Sequence, residues 1–295
     1  MKGGRPTFRF APSPTGELHL GHALSALTGW KWAQRLEGRF LLRIEDIDTG
    51  RARQHFVDQI SDDLRWLGMS WEQPVRQQSQ HFEIYRTAAA RLQGMGLLYP
   101  CFATRSELKA ATAQLPDHPS DPDCAPLYPK LHKQLSSEEI AARKAAGQPF
   151  ALRLDMDRAL DAAHVISGDD STAITYTALD ESGTAQLVEA CPERWGDAVI
   201  VRKDVPASYH LAVVVDDAEQ GVTHVTRGQD LEAATDLHRL LQILLGLHPP
   251  VYHHHRLILD TDGRKFSKSD GAVTLRSLRE SGMSREDVLR LIGEL

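Results

Sequence analysis

Apolar and polar positions follow two alternating rhythms along the first hundred residues. Residues 7–11 and 39–44 are short β-like runs, whereas 21–36 and 53–68 carry helical spacing, the latter with Phe56, Ile60, Leu64 and Leu67 on one face. Strand and helix in turn predict a parallel α/β sheet. From residue 99 to about 195 the pattern changes to a Pro- and Asp-rich loop (LPDHPSDPDCAPLYPK), a helix at 136–146 and a strand-like FALRLDM. This stretch reads as an inserted α+β unit. The α/β rhythm resumes with AVIVR, HLAVVVDD, GVTHVTRG and a Leu-rich helix at 232–246. VYHHHRLIL then leads into LDTDGRKFSKSDGAVTL, and a last helix is expected at 284–292, with Ser284 and Asp287 placed as a capping box. The division is therefore 1–98 with 196–250, an insertion at 99–195, and a C-terminal segment at 251–295. No internal repeat or low-complexity tract interrupts it.

Composition narrows the classes. At 295 residues the chain can bury a sizeable core. Cys101, Cys124 and Cys191 are odd in number and unevenly spaced, and the start MKGGRPTFRF has no apolar leader core, so a reducing, cytoplasmic setting is expected. No apolar run is long enough for a membrane span. A net charge of −6 argues against a protein that coats nucleic acid along its whole surface, and leaves room for a local basic groove.

Two stretches carry candidate chemistry. In FAPSPTGELHLGHALSAL, residues 10–27, Pro12 and Pro14 hold the chain extended after a strand, while Gly16 and Gly21 permit close backbone approach before a helix. A helix start after a first strand is an anion site, and His19 and His22, one turn apart, can donate to phosphate oxygens. The plain alternative is a Pro/Gly turn with two surface histidines. The second stretch, RKFSKSDG at 264–271, gathers Arg264, Lys265 and Lys268 with Ser267 and Ser269 in a glycine-flanked loop, which suits a cationic clamp on a polyphosphate. Its alternative is a solvated basic loop.

Together, HLGH at 19–22 and KFSKS at 265–269 resemble the HIGH and KMSKS signatures of class I aminoacyl-tRNA synthetases. RFAPSPTGELHLGH, LRIEDID, SYHLAVVVDD and VTRGQDL are similar to the glutamyl branch of that class, and the resemblance runs from about residue 7 to 293. It implies a Rossmann-type catalytic domain formed by 1–98 and 196–250, with 99–195 as an acceptor-type, RNA-clasping insertion. It implies ATP held by His19, Gly21, His22, Lys265, Ser267 and Lys268, with Mg²⁺. His19, His22, Lys265 and Lys268 would stabilise the phosphoryl charge. Carried over residue by residue, the glutamate site is Arg9, Ala11, Ser13, Glu45, Tyr209 and Arg227. The residue chemistry agrees: Glu45 suits an ammonium, and Arg9, Tyr209 and Arg227 suit two carboxylates. Which arginine takes which carboxylate is open at this point.

Only 26 residues follow Ser269, so no anticodon-binding domain is expected. The chain thus resembles the shortened members of the branch, the glutamyl-queuosine tRNA(Asp) synthetases. This implies tRNA-independent activation of L-glutamate and its transfer to the queuosine base in the anticodon loop of tRNA(Asp), by a monomer with no DNA or membrane partner. Three other readings remain: a truncated glutamyl-tRNA synthetase charging a 3′ end, a small-molecule ligase or nucleotidyltransferase, and a non-catalytic tRNA-binding paralogue. The family's insertion carries a zinc pattern of Cys-x-Cys followed by Tyr-x-x-x-Cys. Here Ala103 and His132 stand where two thiolates would be, leaving Cys101, Tyr128 and His132 with Cys124 off-pattern, so zinc is not expected. His253, His254 and His255 alternate faces if they lie on a strand, which favours a strand approaching the ATP site over a metal cluster.

Overall fold

The computed structural model describes residues 4–115, 117–168, 173–258 and 273–293. The first apolar run becomes β1 (Thr7–Phe10), buried along its whole length, as a strand covered on both faces must be. It leads through a turn into α1 (Leu20–Arg35), followed by β2 (Arg39–Ile44), α2 (Gln54–Trp66), β3 (Glu72–Gln77) and α3 (Phe82–Gly94). The middle of the chain holds β4 (Leu98–Cys101), α4 (Arg105–Ala113), α5 (Ser137–Ala145), β5 (Ala151–Leu154), α6 (Met156–Ser167), β6 (Thr175–Leu179) and β7 (Ala185–Glu189). Then come β8 (Val199–Val201), α7 (Tyr209–Glu219), β9 (His224–Gly228), α8 (Ala234–Leu244), β10 (Val251–His255), α9 (Leu275–Glu280) and α10 (Arg285–Ile292). Ser284 caps the last helix, and its side chain and that of Asp287 exchange hydrogen bonds with each other's backbone N–H, as the spacing predicts.

Among the described residues the strands form two sheets, a seven-stranded one in the order β3-β2-β1-β9-β10-β6-β7 and a three-stranded one, β4-β5-β8. Neighbours in the large sheet run parallel except the last pair, β6 and β7. The small sheet is antiparallel. From β1 the chain steps outward to β2 and β3 on one side, and later returns to β9 and β10 on the other. The crevice between β1 and β9 is thus the point where the strand order reverses, and ligands of open α/β sheets bind outside the carboxyl ends of strands at such a point.

Residues 175–189, placed with the insertion in the sequence reading, pair with the large sheet through Tyr252↔Ala178. The hairpin covers the edge of β10, whose backbone groups would otherwise lack partners. Asp180 closes its turn, accepting from Ser182 N and Thr184 N at 2.9 Å each.

Apolar side chains sit on both faces of the large sheet. One cluster gathers Phe8, Leu27, Leu42, Ile60 and Leu64 with Leu275, Val288 and Ile292 of the C-terminal helices. The other joins Leu92, Leu211, Val225, Leu237 and Leu241 with Leu154 and Ile200 of the small sheet. This second cluster packs the small sheet against the elements of the large sheet. Among the described residues, no helix is long and apolar enough to cross a membrane.

Candidate active site

A cavity of about 380 Å³ opens at the carboxyl ends of β1, β9 and β10. Its wall includes Arg9, Ala11, Ser13, His19, Gly21, His22, Glu45, Tyr209 and Arg227, so the described residues expected to hold glutamate and ATP converge there. Glu45 N donates to Pro12 O at 3.0 Å, which seats the end of β2 against the turn that carries Ala11 and Ser13.

The turn into α1 is closed by its own histidines. Gly21 N donates to Nδ1 of His19 at 3.1 Å, and His19 N donates to Nδ1 of His22 at the same distance, with the rings 3.8 Å apart. A neutral imidazole that accepts at Nδ1 keeps its proton on Nε2. Both rings therefore present an N–H donor from Nε2. A Cβ on Gly21 would lie 3.0 Å from Cε1 of His19, so glycine is what lets that ring fold over the helix start. The chain on both sides of 259–272 borders the same place: Arg256, Leu257 and Ile258 line the cavity, and Leu275 N donates to Leu18 O at 2.8 Å beside a bridge between Thr274 and His19. Lys265, Ser267 and Lys268 themselves lie outside the described residues.

One wall is ionic. Arg9 Nε donates to Asp217 Oδ1 at 3.1 Å, and Arg43 reaches the same oxygen at 2.7 Å and Glu45 Oε1 at 3.2 Å. Behind them Asp216, fully buried, accepts from Arg76 Nε and Gln78 Nε2 at 2.8 Å and from Tyr85 OH at 2.9 Å. Burial pushes the Asp217 carboxyl up, but Arg9 and Arg43 outweigh it and hold it below the usual carboxylate range. Glu45 goes the other way: burial raises it further than Arg43 and Arg9 lower it. Arg43, Arg76, Asp216 and Asp217 were not singled out from the sequence. The one available signal was VVVDD, two acids closing an apolar helix, paired with an arginine inside a buried strand.

The opposite wall is built differently. Arg227 donates from Nη2 to Thr235 Oγ1 at 2.6 Å, from Nε to His254 Nε2 at 3.3 Å, and from Nη1 to His238 Nδ1 at 3.3 Å and Tyr209 OH at 3.4 Å. Each partner is uncharged. Burial, then the Arg227 charge, depress the histidines: His254 to about 3, His210 to about 4, and His238 well below its ordinary value. The three histidines of β10 alternate as expected, His254 facing Arg227 while the His253 ring lies 5.4 Å from Trp32 of α1.

A second cavity of about 780 Å³, lined largely by the insertion, shares Tyr209 with the first. Arg105, Lys109, Arg153 and Arg202 line it together with Tyr128 and Trp195. Close by, Cys101, Tyr128 and His132 do come together, but onto one another. The Cys101 thiol donates to Tyr128 OH at 3.3 Å, His132 N donates to the same oxygen at 2.9 Å, and His132 Nδ1 accepts from Phe102 N at 3.2 Å and Ala103 N at 3.1 Å. The phenol is neutral, since burial raises it well above its ordinary value. With these donors already engaged, the set does not fit a four-ligand zinc. Among the described residues, no group of three or more His, Cys, Asp or Glu is arranged to hold a metal.

Fold and site together define a class I tRNA synthetase: the model of the family tRNA synthetases class I (E and Q), catalytic domain, matches residues 7–295, and the chain belongs to that family. Within it, the chain is 45% identical to a glutamyl-Q tRNA(Asp) synthetase of Rhodobacter capsulatus, over 97% of this chain and 99% of that one. It is 41% identical to one of Symbiobacterium thermophilum, over 95% of this chain and 83% of that one. It is also similar to a glutamate–tRNA ligase of Nostoc punctiforme, at 34% identity over 95% of this chain and 55% of the ligase. Among solved structures, the glutamate-tRNA synthetase from Elizabethkingia anophelis superposes with a TM-score of 0.70 at 26% identity. The superposition covers 95% of this chain and 54% of that one, so this chain spans about half its length.

Proposed function

We propose that the protein activates L-glutamate with ATP and Mg²⁺ to glutamyl-adenylate, without help from tRNA, and transfers the glutamate to the queuosine base in the anticodon loop of tRNA(Asp). The observation that carries this reading is the single cavity in which an acid, two arginines and a tyrosine meet the His19–His22 turn. Glu45 receives the ammonium, while Arg9, Tyr209 and Arg227 receive the carboxylates. Tyr209 OH already accepts from Arg227, so its own hydrogen is directed to the substrate. An oxygen of the glutamate α-carboxylate attacks the α-phosphorus of ATP, and pyrophosphate leaves with the bonding pair. The Nε2–H groups of His19 and His22 stabilise the developing charge together with Lys265 and Lys268 of the KFSKS loop, whose flanking residues border the cavity. Mg²⁺ accompanies ATP and neutralises phosphate charge. In the second step, a hydroxyl of the queuosine cyclopentene ring attacks the carbonyl of the adenylate, AMP departs with the bonding pair of the anhydride C–O bond, and the hydroxyl proton passes to the departing phosphate.

The second cavity supports the RNA step. Its cations and aromatic faces suit a splayed loop nucleotide, and it shares Tyr209 with the glutamate site. The names of the Rhodobacter capsulatus and Symbiobacterium thermophilum relatives point the same way. Two assays test the proposal. Pyrophosphate exchange is measured with each amino acid, with and without tRNA; glutamate alone is expected to support it. Labelled glutamate is then offered to queuosine-containing tRNA(Asp), to the same tRNA without the modification, and to tRNA lacking its 3′ adenosine. Acceptance should require the modification and ignore the 3′ end, whereas charging of tRNA(Glu) that needs an intact 3′ end would identify a truncated glutamyl-tRNA synthetase.

A further inference from the structure

The two arginines that face the substrate are held by opposite means. Arg9 shares Asp217 with Arg43, so its charge is already matched inside the protein. Arg227 is buried and fixed by four hydrogen bonds, yet among the described residues it has no carboxylate partner. Its anchors come from three elements: Tyr209 on α7, Thr235 and His238 on α8, and His254 on β10.

We propose that this neutral cage, with His238 and His254 as its positioning residues, determines the site's preference for a carboxylate by holding Arg227 in place while leaving its charge uncompensated. A guanidinium has donors only, so every group it touches must accept. His238 therefore accepts at Nδ1, carries its proton on Nε2, and donates it to His210 Nδ1 at 3.1 Å. His254 Nε2 accepts both from Arg227 and from the Thr235 hydroxyl, at 3.0 Å from the latter. Each ring is thereby locked as a neutral acceptor. The groups facing His238 are Arg227 of β9, Tyr209 and His210 of α7, His254 of β10 and Arg9 of β1, none of which is a carboxylic acid. Asp236, two positions earlier on α8, is turned to Arg194.

A carboxylate in any anchor position would fix Arg227 equally well and remove its net charge. The cavity would then hold a neutral ion pair, which discriminates poorly between a side-chain carboxylate and a carboxamide. The neutral cage avoids this. Recognition then comes from a cation that is complete only when an acidic substrate arrives, and the reading of the substrate as glutamate is the one proposed above.

The test uses isosteric pairs that differ only in charge. In His238→Asn the amide oxygen takes the place of Nδ1; His238→Asp has the same shape with a carboxylate. His254→Gln and His254→Glu repeat the comparison on the other edge of the guanidinium. Pyrophosphate exchange is followed with glutamate and with glutamine, and KM for ATP serves as the control. The neutral variants should keep the glutamate KM within about threefold of the parent, whereas the acidic variants should raise it tenfold or more, with the ATP KM unchanged and the preference for glutamate over glutamine reduced by at least the same factor. Equal glutamate KM values in both members of a pair would overturn the proposal, because a merely structural role is disturbed equally by Asn and Asp. If His238→Asp does not fold, the pair at 254 decides. Absence of glutamate-dependent exchange in the parent protein would instead overturn the assignment of substrate.

Discussion

Two polar clusters stand out in this molecule, one around the cavity at the strand ends and one around Cys101 in the insertion, and they use their hydrogen-bonding capacity in opposite directions. In the insertion, thiol, phenol and imidazole are spent on one another and on the backbone of Phe102 and Ala103, which closes the loop on itself. Around the cavity the polar groups are satisfied on their outer side: Asp216 fastens Arg76, Gln78 and Tyr85, Asp217 fastens Arg9 and Arg43, and the histidines fasten Arg227. Their inner side is open. Residue type made both clusters conspicuous, but what separates a binding site from a structural knot is where the remaining charge points.

The strongest test of that comparison removes the fastening behind the cavity. Asp216→Asn removes a fully buried carboxylate from Arg43 and Arg76, and breaking a buried pair from one side costs about 3–5 kcal/mol. Denaturant unfolding should show a loss of that size. The exposed ion pairs of the insertion provide the contrast: Asp157, paired with Lys130 and Lys133, has a side chain 70% exposed, and its Asn variant should lose less than about 1 kcal/mol. Equal losses at the two sites would break the comparison.

Next in size is Arg227→Gln, which removes the uncompensated cation while keeping a polar side chain. A hydrogen bond to a charged group is worth about 1.5–3 kcal/mol, so kcat/KM for glutamate in the exchange assay should fall roughly ten- to a hundredfold or more. KM for ATP should hold. A variant that lost ATP affinity equally would show that Arg227 shapes the whole cavity and not the glutamate end of it.

Much of this was legible in the sequence, and the parts that were not share a cause. β1, β2, β5, α1, α2 and the capping box at Ser284 follow from periodicity and local chemistry, which act within a few residues. The candidate glutamate residues, scattered from Arg9 to Arg227, came from the resemblance, and their convergence on one cavity is a product of the strand order. Arg43, Asp216 and the histidine cage depend on tertiary partners. Arg43 and Asp217 lie 174 positions apart in the chain, and a single Arg or Asp in isolation reads as solvated surface. The pairing of β6 with β10 belongs with these, because the edge that needs cover is created by strands distant in sequence.

The histidine wall also sets a pH dependence. His210, His238 and His254 are depressed in the folded protein, by burial first and by Arg227 second, while in the unfolded chain they titrate near 6.5. Below that value the unfolded state binds protons that the folded state refuses. Stability is therefore full above about pH 6.5 and falls as the pH drops toward the folded values, by about 1.4 kcal/mol per pH unit for each histidine held neutral. Chemical denaturation between pH 7.5 and 5 should show the decline, and His238→Asn should lessen its slope by one histidine's share. An unchanged slope would mean that the ring at 238 is not held neutral.

The smallest effect is expected on the other side of the comparison, at Cys101. Its thiol is a weak donor, and the Tyr128 oxygen that it meets also accepts from His132 N at 2.9 Å, so Cys101→Ala leaves the loop with its stronger hydrogen bonds. We expect a loss of about 1 kcal/mol or less, of the order of a neutral hydrogen bond. Zinc sharpens the point. His132 engages Nδ1 with two backbone N–H groups, and Tyr128 is a neutral phenol, so a metal entering here would have to displace contacts that already close the loop. Protein expressed in zinc-supplemented medium should therefore carry no stoichiometric zinc, and a chelator should leave its unfolding transition in place. A single zinc per chain that disappears in Cys101→Ala would reverse the assignment: the knot would then be a metal site closed in on itself, with Cys124 the nearest further thiol in the chain to complete it.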